Sequence, residues 1–243
     1  MGLNSITLQS NDSDVISGDI VGRINWAAAS DGDGPVATSI AASISAVAEE
    51  TFNDSNNATS LIFSTANDAI ASEKLRITSD GRTVISNGSF VSNGDAQNSS
   101  YVLRTSTTND TFTTIANNGS SIRLSNNRTF MFTANIVARR TNGQDNAAYK
   151  LEGIIANDGY GASILGTPVK TILYESDSSW DVQAIIVSIN VDSDTSDDLL
   201  IQGKGAASKN VNWVCKLDLL EVGGDISGYT ETNTQSIAPD AIP

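Results

Sequence analysis

The chain has 243 residues, with 14 Lys and Arg against 28 Asp and Glu, a formal charge of −14, no histidine and one cysteine. That charge argues against nucleic-acid binding, whose affinity comes from Lys and Arg on phosphates. The missing imidazole excludes the Ser-His-Asp triad and the usual zinc enzymes, and a lone Cys215 excludes an intrachain disulfide framework.

Charged residues make up 17% and hydrophobic ones 39% of the chain. A disordered acidic chain would be richer in charge and poorer in apolar residues. Ser, Thr, Asn, Gly, Val and Ile dominate, as in β-proteins with many short turns. No apolar run approaches the roughly 20 residues of a membrane span, so no membrane insertion is expected. The start Met1-Gly2-Leu3-Asn4-Ser5 has no basic region followed by an apolar one. The expectation is a soluble protein made in a cytoplasm without a cleaved signal.

In chain order, Gly22–Ala27 alternates, with Ile24 and Trp26 on one face and Arg23 and Asn25 on the other. Residues 39–48 are rich in Ala and Ser. Ile and Ser dilute their helix propensity, so they are read as a long strand. Ser60–Thr65 is a short strand. Residues 73–85 form the clearest hairpin, in which Leu75 and Ile77 alternate with Lys74, Arg76 and Thr78. Asp80-Gly81 there supplies the positive φ angles of a tight primed turn.

Residues 87–98 are small and polar and read as a linker. A second strand-rich block follows, with strands expected at 101–104, 111–115, 121–124, 129–140, 148–155, 169–174, 181–187, 199–203 and 212–222. Residues 129–140 form the longest and carry Phe130, Phe132, Ala134, Ile136 and Ala138 on one face. This organisation predicts an all-β chain: an N-terminal antiparallel β-module over 1–86, the linker, and a C-terminal β-sandwich or jelly roll over 99–222. Residues 223–243 are polar and acidic, and an extended tail is expected there, held by a partner chain if ordered.

Four stretches carry a resemblance. They are Gly18-Asp19-Ile20-Val21-Gly22-Arg23-Ile24-Asn25-Trp26, Ala42-Ser43-Ile44-Ser45-Ala46-Val47-Ala48-Glu49, Leu61-Ile62-Phe63-Ser64-Thr65 and Glu73-Lys74-Leu75-Arg76-Ile77-Thr78-Ser79-Asp80-Gly81. Together, over about residues 15–85, they resemble a module common in tailed-phage virion proteins, frequent in tail fibres. Trp26 stands where that module usually has Phe, and Lys74-Leu75 where it has Arg-Met. The autocleaving chaperone domain of many such fibres does not follow. The later block is similar to a β-sandwich tip domain of phage and cyanophage structural proteins. The resemblance implies a homotrimer on a virion, assembled in the host cytoplasm, with other tail or capsid proteins as partners. Flat strands of small residues independently suit packing between identical chains, because each module alone buries little.

Candidate chemistry is sparse. Asp31 and Asp33, and Asp192 and Asp194 in the run 192–198, offer hard oxygen ligands to calcium. Neither completes an EF-hand, since the twelfth position from Asp192 is Gly203. Solvated turns are the simpler reading, and no metal or other cofactor is expected. Glu49, Glu50, Glu152, Asp158, Glu175 and Asp177 are candidates for an acid–base pair on a glycan, but no spacing singles out a pair. Arg139-Arg140 reads as a salt bridge or cap of the loop 141–146. Trp26 and Trp213, in alternating strands, read as core. Trp180, after the turn 176–179, reads as partly exposed and as the candidate ligand contact. The expected function is a non-enzymatic virion structural protein: a trimeric tail-fibre or knob-like appendage that meets a bacterial surface glycan. A capsid-decorating cement protein and a glycan-degrading tailspike are the alternatives.

Overall fold

A computed structural model describes residues 5–27, 40–67, 70–86, 96–116, 121–191 and 194–223. The described residues form antiparallel β-sheets with no helix, in two compact units, one up to Ala71 and one over Ser72–Gly224.

The first unit contains β1 (Ile20–Ala27), β2 (Ile40–Ala48) and β3 (Thr59–Thr65), paired in that order. The alanine- and serine-rich segment is therefore a strand. Register sets Ile24 opposite Ile44 and Ile44 opposite Phe63, so the larger apolar residues share one face. That face is the more open one: Ile24 is 48%, Trp26 50% and Leu61 39% exposed. The other face holds Ser43, Ser45, Val47, Ser60 and Ile62, all buried. Arg23, directly opposite Ser45, donates from Nε to its hydroxyl at 3.0 Å. Trp26 is thus not a core residue: among the described residues it stands half exposed on the more open face of the sheet.

The second unit begins with β4 (Ser72–Ile77) and β5 (Thr83–Ser86). The compact units part before this hairpin rather than after residue 86, because β5 pairs with β6 (Ala96–Thr107). Arg82 also donates to the Tyr101 hydroxyl at 3.2 Å and lies over its ring. The turn differs from the primed form. The Gly81 N–H donates to the Thr78 carbonyl, the Thr78 N–H to that of Arg82, and only Gly81 has positive φ. That is a three-residue loop with glycine at its left-handed position, which one glycine satisfies. Within the stretch read as a linker, 87–95 lie outside the described residues, whereas Ala96–Asn98 already belong to β6. Of the expected tail, only Gly223 is described, as the last residue of β14 (Val211–Gly223).

The sheet of this unit runs β4-β5-β6-β14-β9-β10-β11, with β9 at Arg128–Arg140, β10 at Asn146–Asn157 and β11 at Ala162–Glu175. In a smaller sheet, β13 (Asp194–Lys204) pairs with β12 (Asp181–Val191), with β7 (Phe112–Thr114) and with β8 (Ile122–Leu124). One core contains inward residues of both sheets. It includes Phe130, Phe132, Ala134, Ile136 and Ala138 of β9 with Leu199 and Ile201 of β13. The period of two in β9 and β14 decides this, since every second residue is buried. Two glycines fit close approaches. A Cβ on Gly153 would come within 2.6 Å of the Phe132 ring, and one on Gly203 within 2.7 Å of Trp213.

On the outer face of the large sheet, opposite the core, register aligns side chains in rows across strands. Ile154, Met131 and Leu220 form one row, and Ala148, Val137 and Val214 another. Between them lie a row with Glu152 and Asp218 and a row with Lys150 and Lys216.

Candidate ligand-binding cleft

Trp180 is 2% exposed, not partly exposed. The turn before it explains why. Asp177 Oδ1 accepts from the Ser179 N–H at 3.0 Å and its hydroxyl at 2.6 Å, while the Trp180 N–H donates to the Asp177 carbonyl at 3.1 Å. Closed in this way, the turn lays the indole on Trp213, with ring centroids 5.9 Å apart and planes tilted by 54°. Tyr149 stacks on Trp213 in turn, at 6.5 Å. The Trp213 N–H donates to the Thr107 hydroxyl at 3.0 Å, whereas Trp180 Nε1 is buried without a hydrogen-bond partner.

Beside Trp180 is a cleft of about 320 Å³, at the small end of ligand-pocket sizes. Lys170 and Ile172 come from β11, Asp181 from β12, Lys204 from β13 and Asp110 from the loop before β7; Glu175, Ser178 and Ser179 complete the wall. Lys170 Nζ donates to Asp181 Oδ1 at 2.6 Å, and the Val182 N–H donates to the same oxygen at 2.8 Å. Burial works to raise the Asp181 carboxyl, but these donors outweigh it and hold it below its usual range. The Tyr149 hydroxyl donates to Glu175 at 3.1 Å; burial first, and that carboxylate second, push the phenol well above its ordinary value. Lys204 Nζ lies 5.3 Å from the Phe112 ring centre.

Under the turn, Lys209 Nζ donates to Asp177 Oδ2 at 2.6 Å and to Asp145 Oδ2 at 3.0 Å. The lysine, followed by the Ser179 donors, pulls Asp177 down to about 2. Asp145 also meets Arg140 at 3.3 Å, so Arg140 closes the loop after β9 while Arg139 is exposed. The other acid–base candidates are scattered. Glu49 accepts from the Ser60 hydroxyl, Glu50 from Asn56, and Asp158 from the Tyr160 N–H. Glu152 pairs with Lys150 at 2.8 Å on the outer face. Of the six, Glu175 alone lines the cleft. The cleft is open and mostly polar, with Lys170 and Asp181 of its wall already paired to each other.

Asp31, Asp33 and Asp192 lie outside the described residues. Asp194 is described through its backbone, as the first residue of β13 opposite Val191. Among the described residues no cluster of three or more metal-ligating side chains occurs. Asp197 and Asp198 are buried. Asp197 accepts from the Ala162 N–H and the Ser188 hydroxyl; Asp198 accepts from Ser121 with one oxygen, while its Oδ1 has no partner. Cys215 is buried in the core, and burial pushes its thiol up to about 12.

Of the residues lining the cleft, the sequence reading names Trp180, as partly exposed, and Glu175; Asp110, Lys170, Ile172, Ser178, Ser179, Asp181 and Lys204 are not among its candidates. They come from separate elements, and no local pattern marks them, because sheet pairing brings them together. No protein-family model matches this sequence, and no curated protein matches it.

Proposed function

We propose that the chain is a non-enzymatic structural component of a tailed-phage virion, a homotrimeric fibre- or knob-like appendage that contributes to attachment to a bacterial surface glycan. The observation that supports it most is the open apolar face of the first unit, with Ile24, Trp26 and Leu61 each roughly half exposed. At about 25 cal/mol per Å², a lone three-stranded layer gains little from burial. Identical neighbours packing on that face supply the missing second layer. In the same reading the second unit is a jelly-roll tip, and its cleft, repeated three times, binds through avidity rather than single-site strength.

The test uses the full chain and purified phage particles. Antibodies against the chain are expected to decorate the tail in electron micrographs, and soluble protein to compete with adsorption. Decoration of the capsid instead would replace this reading with a head-fibre or cement role. Release of sugar ends from host polysaccharide would replace it with a glycan-degrading tailspike. Unlabelled particles would overturn it.

A further inference from the structure

We propose that the outer face of the second unit's large sheet binds a second copy of this chain through a two-fold interface. Close to half of the exposed large apolar side chains among the described residues stand on this one face, including Val102, Val137, Met131 and Leu220. The two charged rows divide them into separate strips, one through Ile154, Met131 and Leu220 and one through Val137 and Val214, and exposed apolar surface rimmed by polar residues is a mark of interaction sites.

The order of rows names the occupant. Along β14 and β10 the face reads apolar (Leu220, Ile154), acidic (Asp218, Glu152), basic (Lys216, Lys150) and apolar again (Val214, Ala148). A two-fold axis perpendicular to the strands, between the acidic and basic rows, reverses this order in the partner. On β14 and β10 acidic then meets basic and apolar meets apolar, while on β6 Val102 meets Ser100 and Arg104 meets Asn98. Within one copy the same charges pair along each strand, Lys150 with Glu152 and Lys216 with Asp218, both at 2.8 Å. The two-fold contact lets each ion pair serve both copies, and an isologous interface needs this self-complementarity. Nearly antiparallel alignment of the facing strands is also an ordinary sheet-on-sheet geometry. The contact does not rest on the virion reading, whose threefold association uses the first unit.

Light scattering on the full chain at about 100 µM, with Kd from sedimentation, tests it. The expected mass is an even multiple of the 25.4 kDa chain. Reversing the basic row (Lys150→Glu with Lys216→Glu) sets acid against acid and should weaken association roughly 100-fold. Reversing the acidic row (Glu152→Lys with Asp218→Lys) should do the same. Mixing the two variants should restore association, with energy transfer between their dyes. Rescue requires both to be folded, which cooperative unfolding checks independently. A monomeric wild type, a mass unchanged by either reversal, or two folded variants that fail to rescue each other would overturn the proposal. A trimer insensitive to both reversals would overturn it and leave the threefold association standing.

Discussion

The second unit places Phe132, Trp213 and Leu217 wholly inside, whereas in the first unit Trp26 is half exposed. Both are antiparallel, and both put apolar residues on one face of their strands. The second unit has a second sheet to cover that face, so alternation becomes a core. Among the described residues of the first unit no second sheet lies on that face, where Leu8 packs at Gly22 while Ile24 and Trp26 stay about half exposed, and the buried residues are serines as often as aliphatics. An apolar stripe is therefore evidence of what a strand needs to cover, and not that the chain covers it.

The largest test of that contrast is a pair of truncations. Phe132→Ala should cost about 3–5 kcal/mol in urea unfolding of the second unit. In dilute monomer, Trp26→Ala should stay within about 0.5 kcal/mol, as at ordinary surface sites. A Trp26 effect as large as that of Phe132, in monomer, would erase the difference between the units. Next comes Gly203→Ala, which pushes a methyl into the Trp213 ring and is expected to cost about 1–3 kcal/mol. Thermal denaturation measures it, and an unchanged midpoint would show that the indole shifts freely. Thr107→Val leaves the buried Trp213 N–H unpaired, for about 1–3 kcal/mol. Near-ultraviolet circular dichroism should report the altered indole.

The smallest effect is a pH dependence. Asp177 has its folded pKa lowered from 3.8 to about 2, so its contribution is complete above 3.8 and fades as pH falls through about 2. Asp145 is lowered as well, mainly by Lys209. Lys209 itself is raised, mainly by Asp177, so its share is lost only as pH rises above 10.5. Lys209→Met should flatten the acid limb of stability between pH 3.8 and 2. An identical limb in the variant would show that the cluster does not govern it.

The strands were legible, and so was the face of β9, because a period of two in a run of branched and aromatic residues has one physical reading. The hairpin at 73–85 was legible too, but not its loop type, since Asp80-Gly81 suits both turns and only the pairing of Thr78 with Arg82 chooses between them. The exposures of Trp26 and Trp180 ran opposite to expectation. Flanking residues report whether a tryptophan sits in a strand or after a turn. They do not report whether another layer lies over it.

By itself, the sequence determined the all-β class, most strand positions and the absence of histidine chemistry, because these follow from side-chain alternation and residue inventory. The tertiary structure alone decided three things. It joined the hairpin to the second unit, gathered Lys170, Asp181, Lys204 and Asp110 around a buried Trp180, and aligned acidic and basic rows between apolar ones. The last two depend on strands distant in the chain coming together, and register is set by which faces find cover, a property of the whole fold rather than of any one segment.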